Sequence, residues 1–307
     1  MIKVLHIGCN AGTESMPKYF REVCDYSELR LDDQLCINLE KIVEIPDVVF
    51  IQIQNENIGN NKTVQFIGEQ VNSLRERGSF VINWTGDKRN GVPSWMYSFA
   101  KNVNITGFSN QEDVDEFNSK VSNGAMFLQQ GIDTEIFKPN GESANVPDIV
   151  FLANDYGNQF PLSKYRRDIV NALKVKYGTR FKVYGNGWRD AGNVNSSQYE
   201  EAKVYRGCKI AISCSHYDSD RYFSDRLGRA LCSGAFVLSH HYKGIEKDFE
   251  VDKHLVSFRD INEMIRIIDT ILADDDARNE IAKEGCKLAS KEFSYRNIVQ
   301  QICNLKH

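Results

Sequence analysis

Short apolar runs alternate along this chain with longer stretches in which apolar residues recur every third or fourth position. Ile2–Ile7, Asp47–Ile53 and Ser79–Trp84 are dense in Val, Ile, Leu and Phe, as strands buried on both faces of a parallel sheet are. Asn104–Phe108 and Ala125–Gln129 add two shorter strands. Between them the spacing predicts helices from about Pro17, over Thr63–Arg77, from Pro93, and after the cap residue Asn110. The alternation then repeats. Strands are predicted at Ile149–Leu152, Phe181–Tyr184, Lys209–Ser213 and Ala235–Ser239. Helices are predicted around Lys164, Arg166 and Arg167, from Ser224, over Asn262–Ala273 and Ala277–Phe293, and from Tyr295. Strand–helix repetition of this kind predicts an α/β protein built of two Rossmann-like domains.

The most informative stretch is Ser224-Asp225-Arg226-Leu227-Gly228-Arg229, which continues to Gly234 and an apolar strand. It reads as a serine N-cap, a short helix and a glycine stop. Arg226 and Arg229 share one side of that helix, close to the positive end of its dipole. A phosphate bound at the helix start would turn this unfavourable placement into a favourable one. Local neutralisation of Arg221, Arg226 and Arg229 by Asp218, Asp220 and Asp225 fits the same residues, and the stretch alone leaves both readings open.

Ser-x-Arg, a few helical residues, Gly and an apolar strand resemble the nucleotide-sugar-binding segment of two-domain GT-B glycosyltransferases. The closest resemblance is to the CgeB-like group of the family-four-type (group 1) enzymes. Gly131-Ile132-Asp133-Thr134-Glu135-Ile136-Phe137-Lys138-Pro139 resembles the crossing between the two domains in that superfamily. Gly185-Asn186-Gly187-Trp188 resembles its turn near the nucleotide base, and Asn83-Trp84-Thr85-Gly86-Asp87 its acceptor-side loop. The resemblance implies an N-terminal acceptor-side domain over 1–139, a nucleotide-sugar domain over 140–294, and a tail over 295–307 returning to the first domain. The polar stretch from Asn140 to Pro147 would be the linker.

On this reading the chain is a hexosyl- or pentosyltransferase whose co-substrate is a nucleotide-diphosphate sugar, with no cofactor and no metal. Ser224 and Arg226 would bind the diphosphate, and Arg221, Arg229, Gly185, Gly187, Trp188, Lys164, Tyr242 and Lys243 would complete the donor site. Asn10, Gly12, Trp84, Asp87 and His240 would lie on the acceptor side, with Asp87 and Arg226 as the catalytic pair. An aromatic ring beside a carboxylate suits a sugar or base ring with one hydroxyl to orient or deprotonate. One departure stands out. Related enzymes often carry a Glu-x7-Glu pair where this chain has Arg221 and Arg229, which makes the donor pocket more basic and removes the usual carboxylates.

Composition narrows the alternatives. At 307 residues, 41% hydrophobic and 26% charged, the chain suits two medium globular domains. No apolar run approaches the roughly 20 residues that cross a bilayer, and Met1–Ile7 reads as a strand rather than a signal peptide. Eight cysteines without a C-x-x-C pair suggest reduced thiols in a cytoplasmic protein and argue against zinc. Asp218-Ser219-Asp220 matches the D-x-D metal pattern of the other glycosyltransferase fold, but beside the arginines it reads as charge balance. The acceptor class stays open between a glycan, a protein and a modified DNA base, although a net charge of −4 gives no global attraction to nucleic acid. A phage-like DNA-modifying transferase and a non-catalytic sugar-nucleotide-binding or coat-associated protein are the alternatives, and the oligomeric state is open.

Overall fold

A computed structural model describes residues 1–8, 15–30, 42, 44–52, 61–194 and 197–306. Asn10 and Gly12, both expected on the acceptor side, lie outside the described residues. The chain divides into two compact units, Met1–Gly131 with Tyr295–His307, and Ile132–Ser294.

In chain order the first unit contains β1 (Lys3–Gly8), α1 (Ser15–Val23), β2 (Asp25–Arg30), β3 (Val48–Gln52), α2 (Asn61–Glu76), β4 (Phe80–Thr85), α3 (Ser94–Phe99), β5 (Ile105–Phe108), α4 (Gln111–Asn118) and β6 (Ala125–Phe127). The second contains β7 (Ile149–Leu152), α5 (Ser163–Tyr177), β8 (Phe181–Tyr184), α6 (Gln198–Gly207), β9 (Ile210–Ser213), α7 (Asp225–Cys232), β10 (Phe236–His240), β11 (Val256–Phe258), α8 (Ile261–Ala273) and α9 (Asp275–Glu292). The last helix, α10 (Tyr295–Cys303), belongs to the first unit.

Each unit is an all-parallel sheet, ordered β2-β1-β3-β4-β5-β6 in the first and β11-β10-β9-β7-β8 in the second. Both orders reverse direction once, between β1 and β3 and between β7 and β9, and ligands of open α/β sheets gather outside the carboxyl ends of strands at such a switch point. Strand alternation sends Val150 and Leu152 to one face of the second sheet and Ile149 and Phe151 to the other. On the first face they meet Leu227, Ala230 and Leu231 of α7, and on the second Ile169, Val170 and Leu173 of α5. Full burial of each of these Val, Leu, Ile and Phe side chains stabilises the fold by about 1.5–3 kcal/mol.

Three local expectations are corrected. The division falls at Gly131/Ile132, because Ile132 and Phe137 are buried in the second unit's core with Leu227 and Phe293. The polar stretch from Asn140 to Pro147 is not a free linker. Its Ala144 N–H donates to Lys203 O at 2.9 Å, and its Glu142 carbonyl accepts from Arg206 Nε at 2.7 Å. Trp84 is core, not a sugar platform: it is 3% exposed and donates its indole N–H to Leu128 O at 2.8 Å. With Ile82 it points to the face that α1 and α10 cover, where Tyr19 stacks on Tyr295.

His6 sits on that same face among Phe20, Tyr26 and Phe50. Burial lowers its pKa to about 4, outweighing the opposing pull of the Glu28 carboxylate. The folded imidazole is therefore neutral where an unfolded one, with a pKa near 6.5, takes up a proton. Between those values the unfolded state binds more protons, so acidification is expected to remove up to about 3 kcal/mol of the first unit's stability. Urea unfolding of the chain and of His6→Gln at pH 7 and pH 4.5 checks this. The parent should lose more than the variant, and equal losses would mean that His6 does not contribute.

Candidate functional site

At the switch point of the second sheet, β7 ends at Leu152 and β9 at Ser213, and beyond them lie two recesses with Leu152 and Arg226 in the walls of both. The wider, of about 250 Å³, is lined by Asn154, Gly185, Asn186, Glu201, Arg226 and Arg229 among others. The narrower, of about 30 Å³, has Arg166, Cys214, His216, Ser224 and Arg226 in its walls.

Gly185 and Gly187 shape the floor. Their φ values of 131° and 84° belong to glycine, and a Cβ at either would collide with a backbone carbonyl, of Ala153 or of Asp155. The two loops thereby lie edge to edge, with Asp155 N–H donating to Asn186 O and Asn186 N–H to Asn154 Oδ1, both at 2.9 Å. Trp188 pins the loop rather than facing a ligand: its indole N–H donates to Ala153 O at 2.6 Å.

The arginine cluster separates into two kinds. Arg221 has φ 56° and grips the Asp248 carboxylate, Nη2 to Oδ1 at 2.6 Å and Nε to Oδ2 at 3.2 Å. Arg229 is held by Asp225 at 2.6 Å and Glu201 at 2.8 Å, and lies over the Phe137 ring at 5.3 Å. Burial alone would raise the Asp225 carboxyl, but Arg229 and Arg226 outweigh it and hold it below its usual range. Arg226 differs. Among the described residues its guanidinium makes no hydrogen bond or ion pair, and it lines both recesses. Local neutralisation therefore accounts for Arg221 and Arg229 but not for Arg226, and Asp220 pairs with Lys243 at 2.9 Å instead of with an arginine.

Opposite Arg226 stands a residue that the site assignment from sequence missed. Arg166 is 4% exposed, and among the described residues its guanidinium makes one hydrogen bond, from Nη2 to the Asn154 carbonyl at 3.2 Å. Burial lowers its pKa to about 10, and Arg226 adds to the effect, yet it remains charged at neutral pH. Helical spacing would have found it, since Arg166 shares a face with Ile169, Val170, Leu173 and Tyr177. Lys164, chosen from sequence instead, has its side chain 82% exposed and pairs with Asp168 at 2.7 Å. His216 packs on Phe160 at 4.4 Å, and burial, Arg166 and Arg226 push its pKa down to about 3. Two guanidiniums without an ion pair among the described residues, beside a neutral imidazole, suit an anionic ligand.

Ser224 occupies the N-cap position of α7 but makes no side-chain cap bond; its own N–H donates to Ser215 Oγ at 3.2 Å. The start of α7 and the Ser224 hydroxyl thus border the same recess as Arg166 and Arg226. Tyr242 is 4% exposed and packs against Phe223, while Lys243 is an exposed partner of Asp220. His240 packs between Tyr165 at 5.0 Å and Phe258 at 5.8 Å, and burial lowers its pKa. None of these three lines either recess.

In the first unit Asp87 is exposed in the loop after β4. The backbone around it is fixed: Gly86 O accepts from Ser109 Oγ at 2.8 Å and from Gln130 Nε2, and Lys88 is buried against Asp113 at 2.5 Å. A groove of about 830 Å³ between α2 and α3 is larger than either recess, but it lies beside helices rather than at strand ends. Its Glu69 is bonded to Gln65 at 3.0 Å and its Arg75 to Val103 O at 3.3 Å. Among the described residues no group of three or more His, Cys, Asp or Glu side chains could hold a metal, and no helix is long and apolar enough to cross a membrane.

Over its whole length the chain superposes on solved glycosyltransferases. HepE of Anabaena, solved with UDP and glucose, matches with a TM-score of 0.66 at 12% identity, covering 98% of this chain and 98% of that one. The fold is that of the GT-B glycosyltransferases. A glycosyltransferase of Rickettsia africae matches this GT-B fold with a TM-score of 0.65 at 10% identity, covering 99% and 97%. Sucrose-phosphate synthase of Thermosynechococcus elongatus follows with 0.60 at 12%, covering 99% and 98%. Residues 166–304, which begin at Arg166 and include all of α7, match the family model described as glycosyl transferase-like. No curated protein sequence matches the chain.

Proposed function

We propose that this chain transfers a sugar from a nucleotide-diphosphate donor to an acceptor hydroxyl, as a member of the CgeB-like group. The observation that carries the proposal is the pair Arg166 and Arg226. Both guanidiniums lack an ion pair among the described residues, and they meet where α7 begins, inside the segment that matches the glycosyl transferase-like model. When the bond between the sugar's anomeric carbon and the diphosphate oxygen breaks, the electron pair leaves with the diphosphate. Arg226, Arg166, the Ser224 hydroxyl and the N-terminal amides of α7 meet that growing charge. Because fixed guanidiniums fill this role, transfer is expected to persist in the presence of EDTA. The acceptor hydroxyl attacks the anomeric carbon and loses its proton, and Asp87 is the carboxylate proposed to orient it or take that proton. Six described cysteines are free thiols, which supports a reducing, cytoplasmic setting.

HepE has been solved with UDP-glucose, so that donor is the first to test. Thermal unfolding with a panel of nucleotide sugars, followed by assay of nucleoside-diphosphate release with and without sugar acceptors, tests the proposal. One donor should raise the unfolding temperature and be turned over, slowly to water and faster to an acceptor. Stabilisation without any release would leave a binding protein, and no response to any donor would end the proposal.

A further inference from the structure

Nothing in the proposed transfer uses the groove of about 830 Å³ between α2 and α3, although a buried polar side chain without a partner lines it. Asn102, in the short 3-10 turn Ala100–Asn102 that follows α3, is 8% exposed and makes no side-chain hydrogen bond among the described residues. Its carboxamide sits over Gly68 of α2, where a Cβ would come within 2.3 Å of Nδ2. Glycine inside a helix costs stability relative to alanine, and here it gives Asn102 its place. Asn72, one turn further along α2, donates Nδ2 to Glu76 at 2.8 Å, and its Oδ1 is buried with no partner among the described residues. An unpaired carboxamide offers donors and an acceptor together, so an occupant that satisfies it must bring both.

The rest of the wall limits what that occupant can be. Gln65, Ser94 and Ser98 add neutral polar groups, and Trp95 adds a half-buried ring that meets Phe99 edge to face at 6.0 Å. Glu69 is bonded to Gln65 and Arg75 to the Val103 carbonyl, which leaves Lys101 as the only lining cation outside such a bond among the described residues. A nucleic acid or acidic polymer needs a row of cations. An amphipathic helix needs an apolar groove, but Phe99 is 1% exposed and Trp95 is the one other apolar side chain in the wall. An extended peptide that adds a strand needs a sheet edge, and these walls are helices. A sugar meets every condition: its neighbouring hydroxyls donate and accept at once, and the C–H face of its ring packs on an indole. The volume lies high in the range of ligand pockets, which suits more than one sugar ring. We infer that this groove binds a neutral oligosaccharide, with Asn102 and Asn72 bonded to its hydroxyls and one ring packed on Trp95. The inference goes beyond the nucleotide-sugar reading and uses no residue of the second unit.

The test is calorimetric titration of the full chain, without nucleotide, with maltohexaose, cellohexaose, laminarihexaose, mannohexaose and chitohexaose, each beside its disaccharide. At least one hexasaccharide should bind, roughly 10-fold or more tighter than its disaccharide, because the groove holds more than one ring. Asn102→Ala should weaken that binding by roughly 10-fold, the scale of hydrogen bonds lost at a buried amide. Asn102 is buried, so a second variant guards against a folding defect. Ser98 is exposed on α3, and Ser98→Arg fills the groove without entering the core, so it should abolish binding while the unfolding temperature stays where it was. If no hexasaccharide binds at millimolar concentration, or if both variants bind as the parent does, the inference is overturned. Tighter binding of oligogalacturonate than of every neutral hexamer would move recognition to Lys101 and overturn the neutral assignment. No nucleotide enters this assay, so its failure leaves the donor reading to the unfolding panel, and failure of that panel leaves the groove standing.

Discussion

Arg226→Ala is expected to weaken nucleoside-diphosphate binding by about 10- to 100-fold, and Arg166→Met to do the same, with the double variant losing measurable binding. Charge-assisted hydrogen bonds to phosphate account for that scale, about 1.5–3 kcal/mol per guanidinium. Stability should move the other way. Arg166 is buried beside Arg226 with no carboxylate paired to it among the described residues, so its charge is expected to destabilise the ligand-free fold. Methionine fills its volume without the charge, and Arg166→Met is expected to unfold no earlier than the parent while the ligand-induced rise in unfolding temperature disappears. His216 supplies an independent readout. Its pKa of about 3 comes from burial and from both arginines, so either substitution should raise it, which an NMR titration of the imidazole can follow. A variant that binds nucleotides as the parent does and leaves His216 unchanged would make the pair structural and remove the main support for the proposed function.

The two-sheet architecture was legible because parallel strands buried on both faces leave short apolar runs that polar residues do not interrupt. β7 and β8 fall on the residues expected, Ile149–Leu152 and Phe181–Tyr184. Other elements were silent for physical reasons. β2 reads Asp-Tyr-Ser-Glu-Leu-Arg, since among the described residues it pairs only with β1 and sits at the margin of the sheet. α6 was missed, and Glu201 with it, because its Gln-Tyr-Glu-Glu start hides the buried residues Ala202, Val204 and Tyr205. Within the site, the family resemblance of the Ser224–Gly234 stretch pointed to Ser224 and Arg226, and both border the narrower recess. What remained hidden was partnership across sequence. Asp248 with Arg221 and Glu201 with Arg229 are pairs 27 and 28 residues apart, and only the folded chain shows that Arg226 has no such partner among the described residues. Trp84 misled for a related reason: an aromatic beside a loop carboxylate looks like a sugar platform until strand alternation turns its ring into the core.

Asp87→Asn is expected to slow transfer to the acceptor by about 10²–10⁴-fold while leaving donor binding nearly intact, the range of a lost general base. The residue follows β4, so its carboxylate stands at the carboxyl end of a strand in the middle of the first sheet. The neighbouring bonds to Gly86 O and the Lys88–Asp113 pair fix the loop, and asparagine is nearly isosteric with aspartate, so the substitution removes the charge with little change of volume. Donor contacts are assigned to the second unit, which makes the two effects separable. Nucleotide affinity by calorimetry, donor hydrolysis to water and transfer to acceptor should be measured on the same preparation. Loss of transfer alone places Asp87 at the acceptor. Unchanged transfer makes it a turn residue. If unfolding temperature and nucleotide affinity fall together, the carboxylate serves the loop, and the base must be sought among groups that border the second unit's recess.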